Sequence, residues 1–395
     1  MPEPEHDVRV VLLSLDGFNH AAISRHLTPR LWALRHAGGL AAAGGRCDLP
    51  AVTYVSHATL ATGTRPRTHG LTSNLAASPR PGVVPGWAGS DVVCTPTIFA
   101  ALREAGVRSA AICGDQNLVC TMGAHQAEVV WPPDAILPPG TDTCASGYAT
   151  NGAVRAPLAD AIADREVRFI FGHLNETDTW GHRFGPDHPE TRAVYAATDA
   201  LVGELCDLLS PDWSQLVLIV LSDHGMETAT LQPPVDLLAP TPVRDAFSDM
   251  LADGSSALGL VREGVSVVRA GAALEYLPGI SAWSELRPGV LLIAGDPGIR
   301  FVAGPASDKV KHLRGVHGGP GSTATLALVA GGHPAVARIA RAIAAQPPHL
   351  ADWAPTIADL LSVPLPSAEG RNLLTRSSML ALAATTGRMR NTGSA

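Results

Sequence analysis

Residues 216–226 read LVLIVLSDHGM. An unbroken run of Val, Ile and Leu is the pattern of a strand buried on both faces, and here it ends abruptly in a carboxylate and an imidazole. Four further runs have the same form: VRVVLLSLDG (8–17), RSAAICGD (108–115), VRFIFGHLN (167–175) and TATLALVAG (323–331). Helical patterns lie between them, at 96–105 and 189–209. Strands that alternate with helices predict an α/β fold with a mostly parallel central sheet flanked by helices. In such sheets the ligand crevice lies beyond the carboxyl ends of the strands, where Asp16, Asp115 and Asp223 fall.

The composition agrees with a globular enzyme-sized protein. Of 395 residues, 46% are hydrophobic and 16% charged, and the formal net charge is −7. That balance disfavours a nucleic-acid polymer or a membrane surface as partner. The six cysteines contain no C-x-x-C pair, so neither a zinc ribbon nor a dithiol redox motif is expected. No run of ~18 apolar residues predicts a transmembrane helix. The opening MPEPEHD has no basic segment followed by an apolar one, which predicts a cytoplasmic protein with reduced thiols.

Residues 1–225 and 311–375 are expected to form the α/β core. Residues 226–310 are Pro-, Gly- and Ser-rich with short alternating stretches, such as 265–269 and 289–295, and predict an inserted cap. Residues 350–361 predict a helix, after which Leu373 and Leu374 should dock on the core. Residues 376–395 lack periodicity and predict a flexible tail.

The residues that carry chemistry follow the strand ends. Asp16 follows the first run, Asp178 and His182 lie in NETDTWGHRF, Asp223 and His224 in LSDHGM, and His317 in RGVHGG. Thr53 lies just before a predicted helix, in PAVTYVSHATLATG. Three carboxylates and three imidazoles suit two Zn2+ ions, with Mn2+ or another divalent metal also compatible, and need no thiolate. Two metals about 3.5–4 Å apart clamp the attacking and leaving oxygens of an in-line phosphoryl displacement. A coordinated hydroxyl near a helix N-terminus is an activated nucleophile beside a phosphate site.

These segments resemble the alkaline phosphatase superfamily, in its nucleotide pyrophosphatase/phosphodiesterase branch, and its relative phosphonoacetate hydrolase. SLDG, VTYVSHATLATGTRPRTHG, DTWGH, SDHGM and VHGG occur in family order, and LADWAPTIADLLSVPLPSAEGRNLL is similar to the superfamily's C-terminal segment. The resemblance implies one metal held by Asp178, His182 and His317, and another held by Asp16, Asp223 and His224 with Thr53 bridging toward it. It implies that Thr53 attacks phosphorus, forms a phospho-threonine and is then released by water. It also implies a phosphate-oxygen donor three residues after the Thr, where this chain has Ser56. Phosphonoacetate hydrolases use a Lys in the segment that here reads Gly114-Asp115-Gln116-Asn117, which argues against phosphonoacetate as substrate. The expected activity is cleavage of a phosphodiester or pyrophosphate bond in a small molecule. A small phosphonate substrate, phosphomonoester cleavage or a non-catalytic metal-binding scaffold stand as alternatives, and the sequence leaves the oligomeric state open.

Among the remaining candidates, His57 and His69 read as helix-packing or capping residues. His173 and His188 read as structural or surface residues.

Overall fold

The structure is a computed structural model and describes residues 8–74, 92–230, 233–304 and 312–375. The tail expected at 376–395 lies outside the described residues.

The strands that matter here are β1 (Arg9–Leu15), β2 (Gly38–Leu40), β3 (Ser109–Cys113), β4 (Val129–Trp131), β5 (Phe169–Leu174), β6 (Leu216–Leu221), β7 (Phe247–Asp253), β8 (Ser256–Val261), β9 (Ile280–Arg287), β10 (Val290–Gly295) and β11 (Ala327–Ala330). Seven of them form the central sheet, in the order β2-β11-β6-β1-β5-β3-β4. β6, β1, β5, β3 and β4 are parallel, while β11 runs antiparallel to both β6 and β2. The α/β class with a mostly parallel sheet is therefore what the chain adopts, with one antiparallel strand near an edge.

The apolar runs account for the layering. Every residue of β1, β5 and β6 is buried. Alternation sends Val10, Leu12, Val217 and Ile219 into one core and Val11, Leu13, Leu218 and Val220 into the other, so each strand serves two faces. At the amino end of β1, Arg9 is buried with its guanidinium donating to the carbonyls of Ile162 (2.8 Å), Asp164 (2.9 Å) and Val167 (3.1 Å) and to Asp212 (2.9 Å). This leaves the opposite end of the sheet for polar residues with chemical work. Gly172 in β5 admits a helix: a Cβ there would stand 2.7 Å from Leu158 and 2.9 Å from Leu13.

Four helices place the site: α1 (Thr53–Thr62), α2 (Asn151–Ala163), α3 (Glu176–Phe184) and α4 (Pro189–Leu209). All ten residues of α1 are buried, so it runs through the protein rather than over it. Leu373 and Leu374 are buried in the core beside Trp353 and Ile357. Among the described residues no helix is long and apolar enough to cross a membrane.

Between residues 247 and 295 the chain builds a four-stranded antiparallel sheet, in the order β7-β8-β10-β9. The alternating stretch at 289–295 is a strand, β10, but 265–269 is not. It opens the helix Val267–Ala273, because the Ser266 hydroxyl accepts from the Arg269 N–H as an N-cap and small residues follow. The run at 323–329 also shifts: β11 starts at Ala327, and residues 324–325 pair instead with residues 45–46.

Candidate active site

The site sits at the carboxyl ends of β1, β5 and β6. Asp16 is the residue after β1. Gly17 follows at φ +62°, a conformation that favours glycine, and a Cβ there would stand 3.1 Å from Asp178. Its freed N–H donates to Asp223 Oδ1 at 3.1 Å, which ties the first strand to the residues after β6. Asp178 and His182 lie one turn apart on α3, so both face the same way. Asp223 and His224 follow β6, where the strand's alternation no longer holds them on opposite faces. His317 follows the short strand Gly315–Val316, and Thr53 is the first residue of α1.

Three hydrogen bonds decide the state of the imidazoles. His182 Nδ1 lies 3.2 Å from the Gly315 carbonyl, His224 Nδ1 3.0 Å from the Gly225 carbonyl, and His317 Nδ1 2.9 Å from the Ala51 carbonyl. A carbonyl only accepts, so each Nδ1 carries a proton and each ring turns its Nε2 inward. His182 Nε2 and His317 Nε2 then meet at 3.1 Å. His224 Nε2 lies 3.2 Å from Thr53 Oγ1, whose hydroxyl donates to it. Burial keeps the rings of His224 and His317 uncharged: it depresses His224 to about 3, and His317 well below the usual imidazole range.

The carboxylates converge on the same space. Asp178 Oδ1 is 3.4 Å from His182 Nε2 and 3.6 Å from His317 Nε2. Asp16 Oδ1 is 3.5 Å, and Asp223 Oδ2 3.2 Å, from His224 Nε2. All three oxygens are buried without a hydrogen-bond partner. Burial and the neighbouring carboxylates push Asp16 well above the usual range, and burial also raises Asp223. Orphaned carboxylate oxygens facing inward-turned imidazole nitrogens are a donor set for divalent cations. Two groups of ligand atoms fit within 4.8 Å: Asp178, His182 and His317, and Asp16, Asp178 and His224. The first is the set expected from the sequence. The second brings Asp178 in beside Asp16 and His224, while Asp223 flanks it through the 3.2 Å approach to His224.

Several supporting residues were not legible as such. His173 Nδ1 accepts from the Asp115 N–H at 3.3 Å, so its Nε2–H donates to Asp16 Oδ2 at 3.0 Å and fixes that carboxylate. His57 Nδ1–H donates to the Thr53 carbonyl at 2.8 Å, and its Nε2 accepts from Ser14 at 2.9 Å, which anchors the first turn of α1. Ser56 is not brought to the cavity. It is buried one turn along α1 with its hydroxyl against the Cys47 thiol. Asn74 lines the cavity instead. Its Oδ1 accepts from the Tyr54 N–H at 2.9 Å, which leaves the amide N–H groups to face Thr53's surroundings. The signal for Asn74 was absent because it lies outside the nucleophile segment and is held by Asp253 of β7, whose Oδ2 accepts from the Asn74 N–H at 2.7 Å and from Ser73 at 2.8 Å.

The cavity has a volume of about 270 Å3 and holds Asp16, Thr53, Asn74, Asp178, His182 and His317 on one wall. Tyr54, Asp115, Ser146, Tyr148 and Asn175 complete its lining with Leu313.

Comparison with known proteins agrees with this geometry. Residues 10–269, well over half the chain, match the family model described as type I phosphodiesterase / nucleotide pyrophosphatase. An uncharacterized pyrophosphatase/phosphodiesterase of Schizosaccharomyces pombe is 27% identical over 232 residues, 55% of this chain and 44% of that protein. Human ectonucleotide pyrophosphatase/phosphodiesterase family member 7 is 27% identical over 238 residues, 56% of this chain and 48% of that protein. The matched stretch is thus less than half the length of these curated relatives. In fold, the chain is similar to human ectonucleotide pyrophosphatase/phosphodiesterase 5, with a TM-score of 0.67 at 18% identity over 93% of this chain and 98% of that one. An inactive murine form of the same protein in complex with AMP gives a TM-score of 0.68 at 19% identity, over 93% of this chain and 99% of that one. The family match, laid over strand ends that gather the Asp and His residues beside Thr53, establishes that the chain belongs to the type I phosphodiesterase / nucleotide pyrophosphatase family.

Proposed function

We propose that the protein is a two-metal hydrolase that cleaves a phosphodiester or pyrophosphate bond in a small molecule through a phospho-threonine at Thr53. The observation that carries this reading is the convergence of three imidazole Nε2 atoms and three orphaned carboxylate oxygens beside the Thr53 hydroxyl, with Asp16, Asp178, His182, His317 and Thr53 lining one cavity.

Asp178, His182 and His317 would hold one cation, and Asp16, Asp223 and His224 the other, with Asp178 near both sets. The cations, zinc by donor type, supply positive charge to the phosphoryl oxygens and lower the pKa of a bound hydroxyl or water. Thr53 gives its Oγ1 to phosphorus as the ester oxygen departs. Water then displaces Thr53 from phosphorus, and the hydroxyl is restored. Asn74 donates from its amide nitrogen to a non-bridging oxygen, the role that the family resemblance implied for Ser56. His173 holds Asp16, and His57 holds the backbone of Thr53, so the nucleophile arrives aligned.

The relatives that the family match names are phosphodiesterases and pyrophosphatases, and one structural neighbour is titled as binding AMP. These support a nucleotide-sized ester as substrate. A phosphonate bearing a carboxylate is disfavoured, because no Lys or Arg stands among the described residues that line the cavity. The test is kcat/KM for a nitrophenyl phosphodiester against the matching monoester on zinc-loaded protein. The expected result is diester preference that Thr53→Ala abolishes. Activity undiminished in Thr53→Ala would overturn the mechanism.

A further inference from the structure

The cavity has a second wall with no candidate metal ligand in it: Tyr54, Asp115, Ser146, Tyr148 and Asn175. Asp115 is 3% exposed. Its Oδ1 accepts from the Asn117 N–H at 2.8 Å and its Oδ2 from the Tyr54 hydroxyl at 3.0 Å. Tyr54 spends its proton there, so at its own oxygen it accepts, from Asn117 Nδ2 at 2.8 Å and from Tyr148 at 3.3 Å. Every donor on Asp115 is therefore neutral, and each carboxylate oxygen keeps a lone pair unused. No Lys or Arg stands among the described residues that line the cavity, so no cationic side chain there pairs with Asp115. A second observation points the same way. Asn175 is 1% exposed, its amide nitrogen donates to Cys144 Sγ at 3.4 Å, and its Oδ1 is buried without a partner. A buried carboxylate held only by neutral donors and an orphaned amide oxygen, both among residues that line the cavity, leave acceptor capacity that the protein does not fill.

We propose that this wall selects a substrate whose organic group presents a nitrogen-borne hydrogen-bond donor, a protonated amine or a ring amino group, to Asp115, and that Asn175 Oδ1 takes a further donor from the same group. The wall rejects groups that carry negative charge. At about 270 Å3 the cavity is at the small end of ligand sites, so the group is compact. Asp115 is thus a specificity residue, reading the part of the ester that does not react. The inference rests on the phosphodiesterase reading, since Thr53 lies in the same cavity.

The experiment uses zinc-loaded full-length protein and two matched pairs of 4-nitrophenyl phosphodiesters. One pair carries 2-aminoethyl or propyl as the second group, and the other carries adenosine or purine riboside. Purine riboside, which has neither the amino group nor a ring N–H, is the donor-free reference. The donor-bearing member is expected to be preferred in kcat/KM by about tenfold or more in at least one pair, and Asp115→Asn is expected to bring that ratio close to one. Preference in the first pair identifies an alkylammonium, and in the second a ring amino group. A purely structural role for Asp115 lowers both members alike and leaves the ratio intact, which overturns the proposal. Equal rates within both pairs on the unmodified protein overturn it as well, without any variant. Bis(4-nitrophenyl) phosphate separates the two levels: turnover without selectivity defeats this inference alone, and no turnover on any diester defeats the phosphodiesterase reading with it.

Discussion

His182 and His317 approach each other through their Nε2 atoms at 3.1 Å, while the Nδ1 of each ring donates to a backbone carbonyl. Both nitrogens lie within reach of one cation, for which Asp178 Oδ1 would be the third ligand. His317→Gln is therefore expected to lose about one equivalent of zinc by elemental analysis. Its kcat/KM should fall on the order of 10²–10³-fold through lost charge stabilisation. Retention of both equivalents would show that the ligand set is wrong.

Asp16 is held by His173 rather than by solvent, at 3.0 Å. His173→Phe removes the donor while keeping a ring, and it is expected to weaken metal binding by about 10–100-fold. Excess zinc should restore most of kcat. His173→Gln, which can still donate, should fall between the two. Unchanged zinc affinity in His173→Phe would assign the residue to packing alone.

Asp253 couples the small sheet to the site. Its carboxylate holds Ser73 and Asn74, and two residues later the Ser255 N–H donates to the His317 carbonyl at 2.7 Å. Asp253→Ala is expected to displace Asn74 and lower kcat by roughly 10–100-fold with a smaller change in KM, as misplacement of an orienting group does. Asp253→Asn keeps an acceptor and should lose much less. Equal activity in both variants and the parent would remove Asn74 from the mechanism.

Much of this was legible in the chain. The unbroken runs at 9–15 and 216–221 announce doubly buried strands, because burial on both faces removes the polar alternation that would blur them. Asp16, Asp223 and His224 follow such strands and Asp178 and His182 have helical spacing, whereas His317 follows only the two-residue strand Gly315–Val316 and stood out through the resemblance in VHGG. The supporting residues carry no such signal. His173 sits inside a strand and looks like a core residue, and its contact with Asp16 exists only after β1 and β5 pair in register. Asn74 is placed by Asp253, far along the chain, and no local pattern marks such a pair. Ser56 lies one turn along the same helix from Thr53, but it is buried and is not among the residues that line the cavity.

His69 gives the fold a pH dependence. It is fully buried, its Nδ1 accepts from the Leu71 N–H at 3.2 Å, and its Nε2–H donates to Thr59 at 3.0 Å. Burial depresses it to about 4, against about 6.5 when unfolded. Between those values the unfolded chain binds the extra proton, so this contribution is fully present above about pH 6.5 and is lost as pH falls toward 4. The expected contribution is on the order of 3 kcal/mol. Denaturant unfolding of the parent and of His69→Gln across pH 4–7 checks it: the parent's stability should fall more steeply on acidification. Parallel curves would show that His69 does not titrate differently on folding.

The central claim is that Thr53 becomes covalently attached to the substrate phosphorus. The most direct measurement is rapid acid quench of zinc-loaded protein turning over a 4-nitrophenyl phosphodiester, followed by mass spectrometry of the digested chain. The account predicts a phosphoryl-ester adduct on the peptide that carries Thr53, and none in Thr53→Ala. Sustained turnover with an unmodified Thr53 peptide, or an adduct on another residue, would contradict it.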